Sequence, residues 1–242
     1  MIHDCHNHIG FDPIYQRDRR IDELLSEMDE NGVDSATVFP FLSNPDVINQ
    51  NMIVLETIKL HPERFIGFFS MNPKLPTKIE LMHEYREQGF KGVVIDLRFG
   101  PGFEDRQTHE VIECAYLLGF KVWIHSDQKD APMGIGALEM LLHKFSGVQF
   151  ILSSMYREAY YVAKKFNNVY LDTAVFELSQ DLTKLLHPIG AHRIVMGSNT
   201  PSGMIHHEIN KIKISPELTW YQKELISGKN ASFLFNLDVS TN

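Results

Sequence analysis

Cysteine is scarce. Cys5 and Cys114 are the two in 242 residues, too few for a disulfide framework, and they fit a reducing cytoplasm. No apolar run approaches the roughly 18 residues needed to cross a bilayer. The opening stretch, MIHDCHNHIG, lacks the basic start and apolar core of a signal peptide. Positive charge is short as well. The 23 Lys and Arg stand against 31 Asp and Glu, a formal net charge of −8, which argues against nucleic acid or an anionic membrane as the main partner. No linker, low-complexity tract or block of like charge divides the chain, so one domain over 1–242 is expected. The 43% hydrophobic content is that of an ordinary globular protein with a large core.

What the chain does have is a repeated alternation. Seven short β-rich runs are SATVFPF (35–41), RFIGFFSMN (64–72), FKGVVIDL (90–97), KVWIHS (121–126), VQFILSS (148–154), VYLDTA (169–174) and RIVMGS (193–198); an eighth opens the chain and ends in HNHI. Most are continuously apolar rather than alternating, as parallel strands covered on both faces should be. Between them lie stripes at helical spacing, each followed by glycine: Ile21, Leu24, Leu25 and Met28 before Gly32; Ile79, Met82 and Tyr85 before Gly89; Val111, Ile112, Ala115 and Leu118 before Gly119; Leu138, Leu141, Leu142 and Phe145 before Gly147; Leu182, Leu185 and Leu186 before Gly190. Eight strand–helix units in this length predict a (β/α)₈ TIM barrel rather than an open doubly wound sheet. After residue 200 the pattern loosens, with a terminal helix expected over Pro216–Gly228 and NASFLFNL as its apolar continuation.

Chemistry in such a barrel sits at the C-terminal ends of the strands. The runs end in His6 and His8, Asn72, Asp96 and Arg98, His125 and Ser126, Ser153 and Ser154, Asp172 and Thr173, and Ser198 and Asn199. His6 and His8 are two apart, which on a strand puts both imidazoles on one face about 6.5–7 Å along it, within reach of one metal ion. Asp4 is expected on the same face, deeper in the barrel, and Cys5 on the opposite one as a small buried thiol. Taken alone, an H-x-H pair is common by chance and reads first as two unrelated histidines. His125 at the end of a middle strand shifts the balance toward a zinc-like site.

These stretches resemble the amidohydrolase superfamily, in its amidohydrolase-related branch with aminocarboxymuconate semialdehyde decarboxylase and other nonoxidative decarboxylases. DCHNHIG resembles the opening D-x-H-x-H-x-G of that branch, and HPERFIGFFSMNP, GFKGVVIDLRFG, GFKVWIHS, NNVYLDTA, HRIVMGSNTP and GKNASFLFNL follow in the family's order. The resemblance implies a divalent metal, usually zinc, held by His6, His8 and His125, and a small-molecule substrate that is anionic. Family members often form dimers. Two positions depart. The family's eighth-strand aspartate falls on Asn199, and its sixth-strand histidine on Ser154. Asn199 is nearly isosteric but carries no charge and is no general base, and Ser154 donates a hydrogen bond without shuttling protons near neutral pH. Three neutral histidines with an open position still make a catalytic type of zinc site, and one that favours a carboxylate.

Asn199, Ser154 and Asp96 are therefore the candidate catalytic residues, and Arg98 and Asp172 the candidate substrate-binding ones. Asp96 and Asp172 are also the nearest replacement bases, although Asp172 reads first as a residue capping a neighbouring loop. Trp123, two residues before His125, reads as core. His61, His83, His109, His143, His187 and His192 read as solvated or capping residues. His206 and His207 lie in the Thr200–His207 loop, which could fold over the mouth. Specificity is expected in that loop and in Phe11–Arg20 and Phe99–Thr108. The expected activity is a metal-dependent hydrolase or nonoxidative decarboxylase of a small carboxylate, lactone or amide. The alternative is a catalytically idle binding or sensing barrel that keeps its metal or ligand site.

Overall fold

The computed structural model describes residues 1–96, 102–125, 135–153, 156–175 and 186–237. Its strands are β1 (His3–Asp12), β2 (Arg17–Arg19), β3 (Ser35–Pro40), β4 (Phe65–Ser70), β5 (Gly92–Asp96), β6 (Lys121–His125), β7 (Phe150–Ser153), β8 (Val169–Asp172) and β9 (Ile194–Val195). β1 and β3 to β9 pair in parallel in chain order, while β2 folds back antiparallel on the far end of β1. Cys5 N donates to Met196 O at 2.8 Å and His8 N to Thr200 O at 2.9 Å, so the chain beyond β9 closes onto β1. The result is the (β/α)₈ TIM barrel that the eight runs predict.

Two core layers explain why the strands read as continuously apolar. Val94, Trp123 and Ile151 belong to an inner cluster, and their neighbours Val93, Ile95, Val122, Ile124, Phe150 and Leu152 to an outer one under the helices. Alternate residues face opposite layers and both layers are apolar. Trp123 is fully buried, as expected of core.

The glycine stops hold at the ends of Ile21–Asn31 and Arg106–Leu118, where Gly32 and Gly119 take the left-handed conformation. Val47–Leu60, like Tyr156–Lys165 and Ile205–Ile214, has no counterpart among the stripes; on it Gln50, Asn51 and Thr57 are buried. Asn51 donates to Ser70 O and accepts from Ser70 N, both at 2.8 Å, so polar side chains fill core-facing positions and blur the period. The stripe at Leu182 and Leu185 lies outside the described residues.

Four expectations are corrected. β1 runs on to Asp12, four residues past His8, because the β2 hairpin pairs with its end. The register of β1 against β3 shifts between Asp4 and Asn7, a bulge that sets Cys5 and His6 against Thr37 alone. Cys5 consequently joins the inner cluster that His6 also faces, while Asp4 pairs with Ala36 of the outer layer. His206 and His207 are exposed on a helix, Ile205–Ile214, not on a loop. The terminal helix starts at the Thr219–Gln222 capping box and passes through Gly228 into Asn230–Phe235. A Cβ at Gly228 would lie 2.4 Å from Met1 O, so this glycine permits a close approach. Ala231, Leu234 and Phe235 then plug the N-terminal end of the barrel, with Phe235 5.7 Å from the His3 ring.

Candidate functional site

The bulge in β1 is what aims His6. Its Nδ1 lies 2.6 Å from Asp172 Oδ2 at the end of β8, and both side chains are fully buried. Ser153 Oγ, at the end of β7, lies 3.0 Å from the same nitrogen. His8 Nδ1 lies 3.2 Å from the carbonyl of Pro40. A carboxylate and a carbonyl only accept, so each Nδ1 carries the proton and donates it. The two Nε2 atoms stand 3.3 Å apart. Nitrogens bound at about 2.0–2.1 Å to one tetrahedral ion would be about 3.3 Å apart. The His6 and His8 pair therefore fits a shared metal ion.

Aromatic rings set the walls. Phe41 stacks on His8 at 5.2 Å, Phe39 meets it edge-on at 4.7 Å, and Trp123 meets His6 at 5.3 Å. Gly197 is pressed against this group, since a Cβ there would stand 2.9 Å from His6 Cβ and 3.2 Å from Asp172 Cβ.

His125 ends β6 in register with Asp96 of β5 and Ser153 of β7, which places its backbone beside the residue that reaches His6. The side chains of His125 and Asp96 lie outside the described residues, as do Arg98 and Ser154 altogether. Among the described residues, no group of three or more His, Cys, Asp or Glu is arranged to hold an ion. Asn199 follows β9 in the left-handed conformation, φ 56°, and its carbonyl accepts from Gly203 N at 2.8 Å. Asp172, read from sequence as a loop cap or a substrate contact, turns one oxygen to His6. Ser153, the residue before the candidate Ser154 on the same apolar run, is brought to His6 by the register of β7.

Buried charge surrounds the back of this group. Asp4 takes hydrogen bonds from His6 N at 3.2 Å, Ser198 N at 2.8 Å and Ser198 Oγ at 2.6 Å. Burial outweighs those bonds and pushes its carboxyl up to about 7. Glu208, on the Ile205–Ile214 helix, is also raised by burial, against the pull of Lys211. His3, at the floor of the barrel, is lowered to about 3 by burial.

A family model described as amidohydrolase matches residues 3–211. The chain belongs to the amidohydrolase family. Solved structures share this amidohydrolase barrel at low identity. The 2,6-dihydroxybenzoate decarboxylase from Rhizobium is 16% identical with a TM-score of 0.80, covering 98% of this chain and 99% of its own. A dihydroxybenzoic acid decarboxylase from Polaromonas sp. JS666, with bound manganese and 2-nitroresorcinol, is 17% identical with a TM-score of 0.79, covering 98% and 97%. A probable 2-pyrone-4,6-dicarboxylic acid hydrolase from Acinetobacter baumannii, with citric acid bound, is 15% identical with a TM-score of 0.73, covering 98% and 99%. None of the curated proteins matches the sequence. Among the described residues, no helix of this amidohydrolase is long and apolar enough to cross a membrane.

Proposed function

We propose that this amidohydrolase is a metal-dependent enzyme acting on a small, anionic aromatic carboxylate, as a nonoxidative decarboxylase or, less directly, a hydrolase. The observation that carries the reading is the spacing of the His6 and His8 Nε2 atoms, 3.3 Å apart as two ligands of one tetrahedral ion would be, with each Nδ1 bonded to Asp172 or Pro40. His6 and His8 would hold the ion, with His125 as the third ligand. A His₃ set suits zinc; manganese is the ion in the Polaromonas decarboxylase. A bound divalent ion supplies Lewis acidity toward a carboxylate or carbonyl oxygen.

The residues around it do the rest. Asp172 fixes the His6 tautomer. Phe39, Phe41 and Trp123 give the two histidines an apolar, aromatic surround, suited to an aromatic substrate. Arg98 would take the substrate's carboxylate, and Asp96 would move the proton that Asn199 cannot, since an amide is no base near neutral pH. Ser154 would donate a hydrogen bond to the substrate. The two buried cysteines suit a cytoplasmic protein, and a homodimer is its proposed assembly.

The test loads chelated protein with Zn²⁺ or Mn²⁺ and screens aryl carboxylates, lactones and amides, following CO₂ release and hydrolysis separately. Turnover that needs metal and disappears in His6→Ala and His8→Ala is expected. Metal bound by wild type with no turnover of any class would mark an idle binding barrel instead. Full metal uptake by both variants would place the ligands elsewhere.

A further inference from the structure

The geometry points to the buried Glu208–Lys211 pair as a positioning pair that holds the end of β8, and with it the Asp172 carboxylate that orients His6. Lys211 Nζ lies 2.7 Å from Glu208 Oε1 and donates to the carbonyl of Thr173, the residue after Asp172, at 2.7 Å. Their side chains are 5% and 7% exposed for Lys211 and Glu208. The Thr173 hydroxyl accepts from Gly197 N at 3.1 Å and bonds the Glu208 carboxylate. Gly197 is the residue pressed against the Cβ atoms of His6 and Asp172. One ion pair on an outer helix is therefore tied to the β8 end, and through Thr173 to the backbone that packs on His6.

An ion pair is a poor choice if the task is only to dock the helix. Desolvating two charges costs about as much as their attraction returns, and apolar replacements of similar volume are often neutral or stabilising. What an ammonium supplies and a methyl does not is a directed bond to the Thr173 carbonyl. It also offsets Glu208, which lies close enough to Asp172 and Asp4 for their like charges to oppose its ionisation. The pair acts through Thr173 and Asp172 and touches neither substrate nor ion, so it is not catalytic.

The experiment compares wild type, Lys211→Met and the double variant Glu208→Gln with Lys211→Met. The double variant leaves no lone buried charge and so keeps the fold if the single one fails. The first readout is the ¹⁵N signature of His6 in chelated protein, assigned through His6→Asn. Wild type should show one tautomer with its proton on Nδ1, and both variants a mixture. The second is Zn²⁺ affinity by competition with a chromophoric chelator, which rests on the metal reading above. A loss of about tenfold is expected, the lower end for outer partners of a ligating histidine. The melting temperature of the chelated proteins separates folding from positioning. Variants with a lowered melting temperature but an unchanged His6 signature would overturn the proposal and leave the pair a helix anchor. If wild type takes up no Zn²⁺ while the His6 signature still shifts, the metal reading fails and the positioning role stands.

Discussion

The substitution that bears most directly on the site is Asp172→Asn. The carboxylate stands 2.6 Å from His6 Nδ1 with both groups fully buried, so the bond is charge-assisted and unscreened by water. Asparagine keeps the shape, and its Oδ1 still accepts from Nδ1. The tautomer survives and only the charge is lost. Outer carboxylates on ligating histidines typically contribute 10–100-fold in metal affinity, equivalent to about 1.4–2.8 kcal/mol at 1.4 kcal/mol per decade. Asp172→Asn should fall near the lower figure. Asp172→Ala should fall further, because Nδ1 is released and the proton can move to Nε2. That proton then bridges the 3.3 Å to His8 Nε2 and closes the cation position with a histidine–histidine hydrogen bond. Chelator competition for Zn²⁺ and Mn²⁺ gives the affinities, and ¹⁵N spectra of the metal-free proteins give the tautomers. Affinities within twofold of wild type for both variants, with unaltered tautomers, would refute the reasoning.

Three further outcomes are expected. The first concerns pH, with metal chelated. His3 is lowered from 6.5 to about 3, so its neutral burial contributes stability that is lost as pH falls from 6.5 toward 3. Asp4 is raised from 3.8 to about 7, so its contribution is present below 3.8 and lost as pH rises toward 7. The two slopes, each up to about 1.4 kcal/mol per pH unit, oppose each other between those limits; Asp4→Asn should unmask the His3 slope in denaturant titrations, and a variant with wild-type slope would sink the idea. Second, Asn199→Asp should tighten metal, since aspartate also tolerates the left-handed conformation, and adding Ser154→His should raise kcat/KM for hydrolysis by up to about 10²–10⁴-fold; a slower double variant would mean that the site works through another base. Third, Gly228→Ala sets a methyl 2.4 Å from Met1 O and should lower stability by about 1–3 kcal/mol, seen as a lower melting temperature with metal affinity unchanged in the folded protein.

The sequence by itself determined the barrel. Strand and helix signals are local: continuously apolar runs such as FKGVVIDL, and stripes closed by Gly32 and Gly119, follow from backbone geometry and from which faces are covered. It also determined that His6, His8 and His125 share one end of the fold, because strand-end residues of a parallel barrel converge wherever the strands do. Tertiary structure alone decided the rest. The bulge at Cys5 and His6 comes from pairing with β3, and it turned both residues inward where simple alternation separates them. Asp172 found His6 across 166 residues of chain, a partnership no spacing rule encodes. The Val47–Leu60 helix carries buried Gln50 and Asn51 because β1 and β4 offer them backbone partners, and periodicity cannot anticipate such partners. A glycine needed for close approach and one needed for a left-handed turn are the same letter, and at Gly228 only the proximity of Met1 shows which it is.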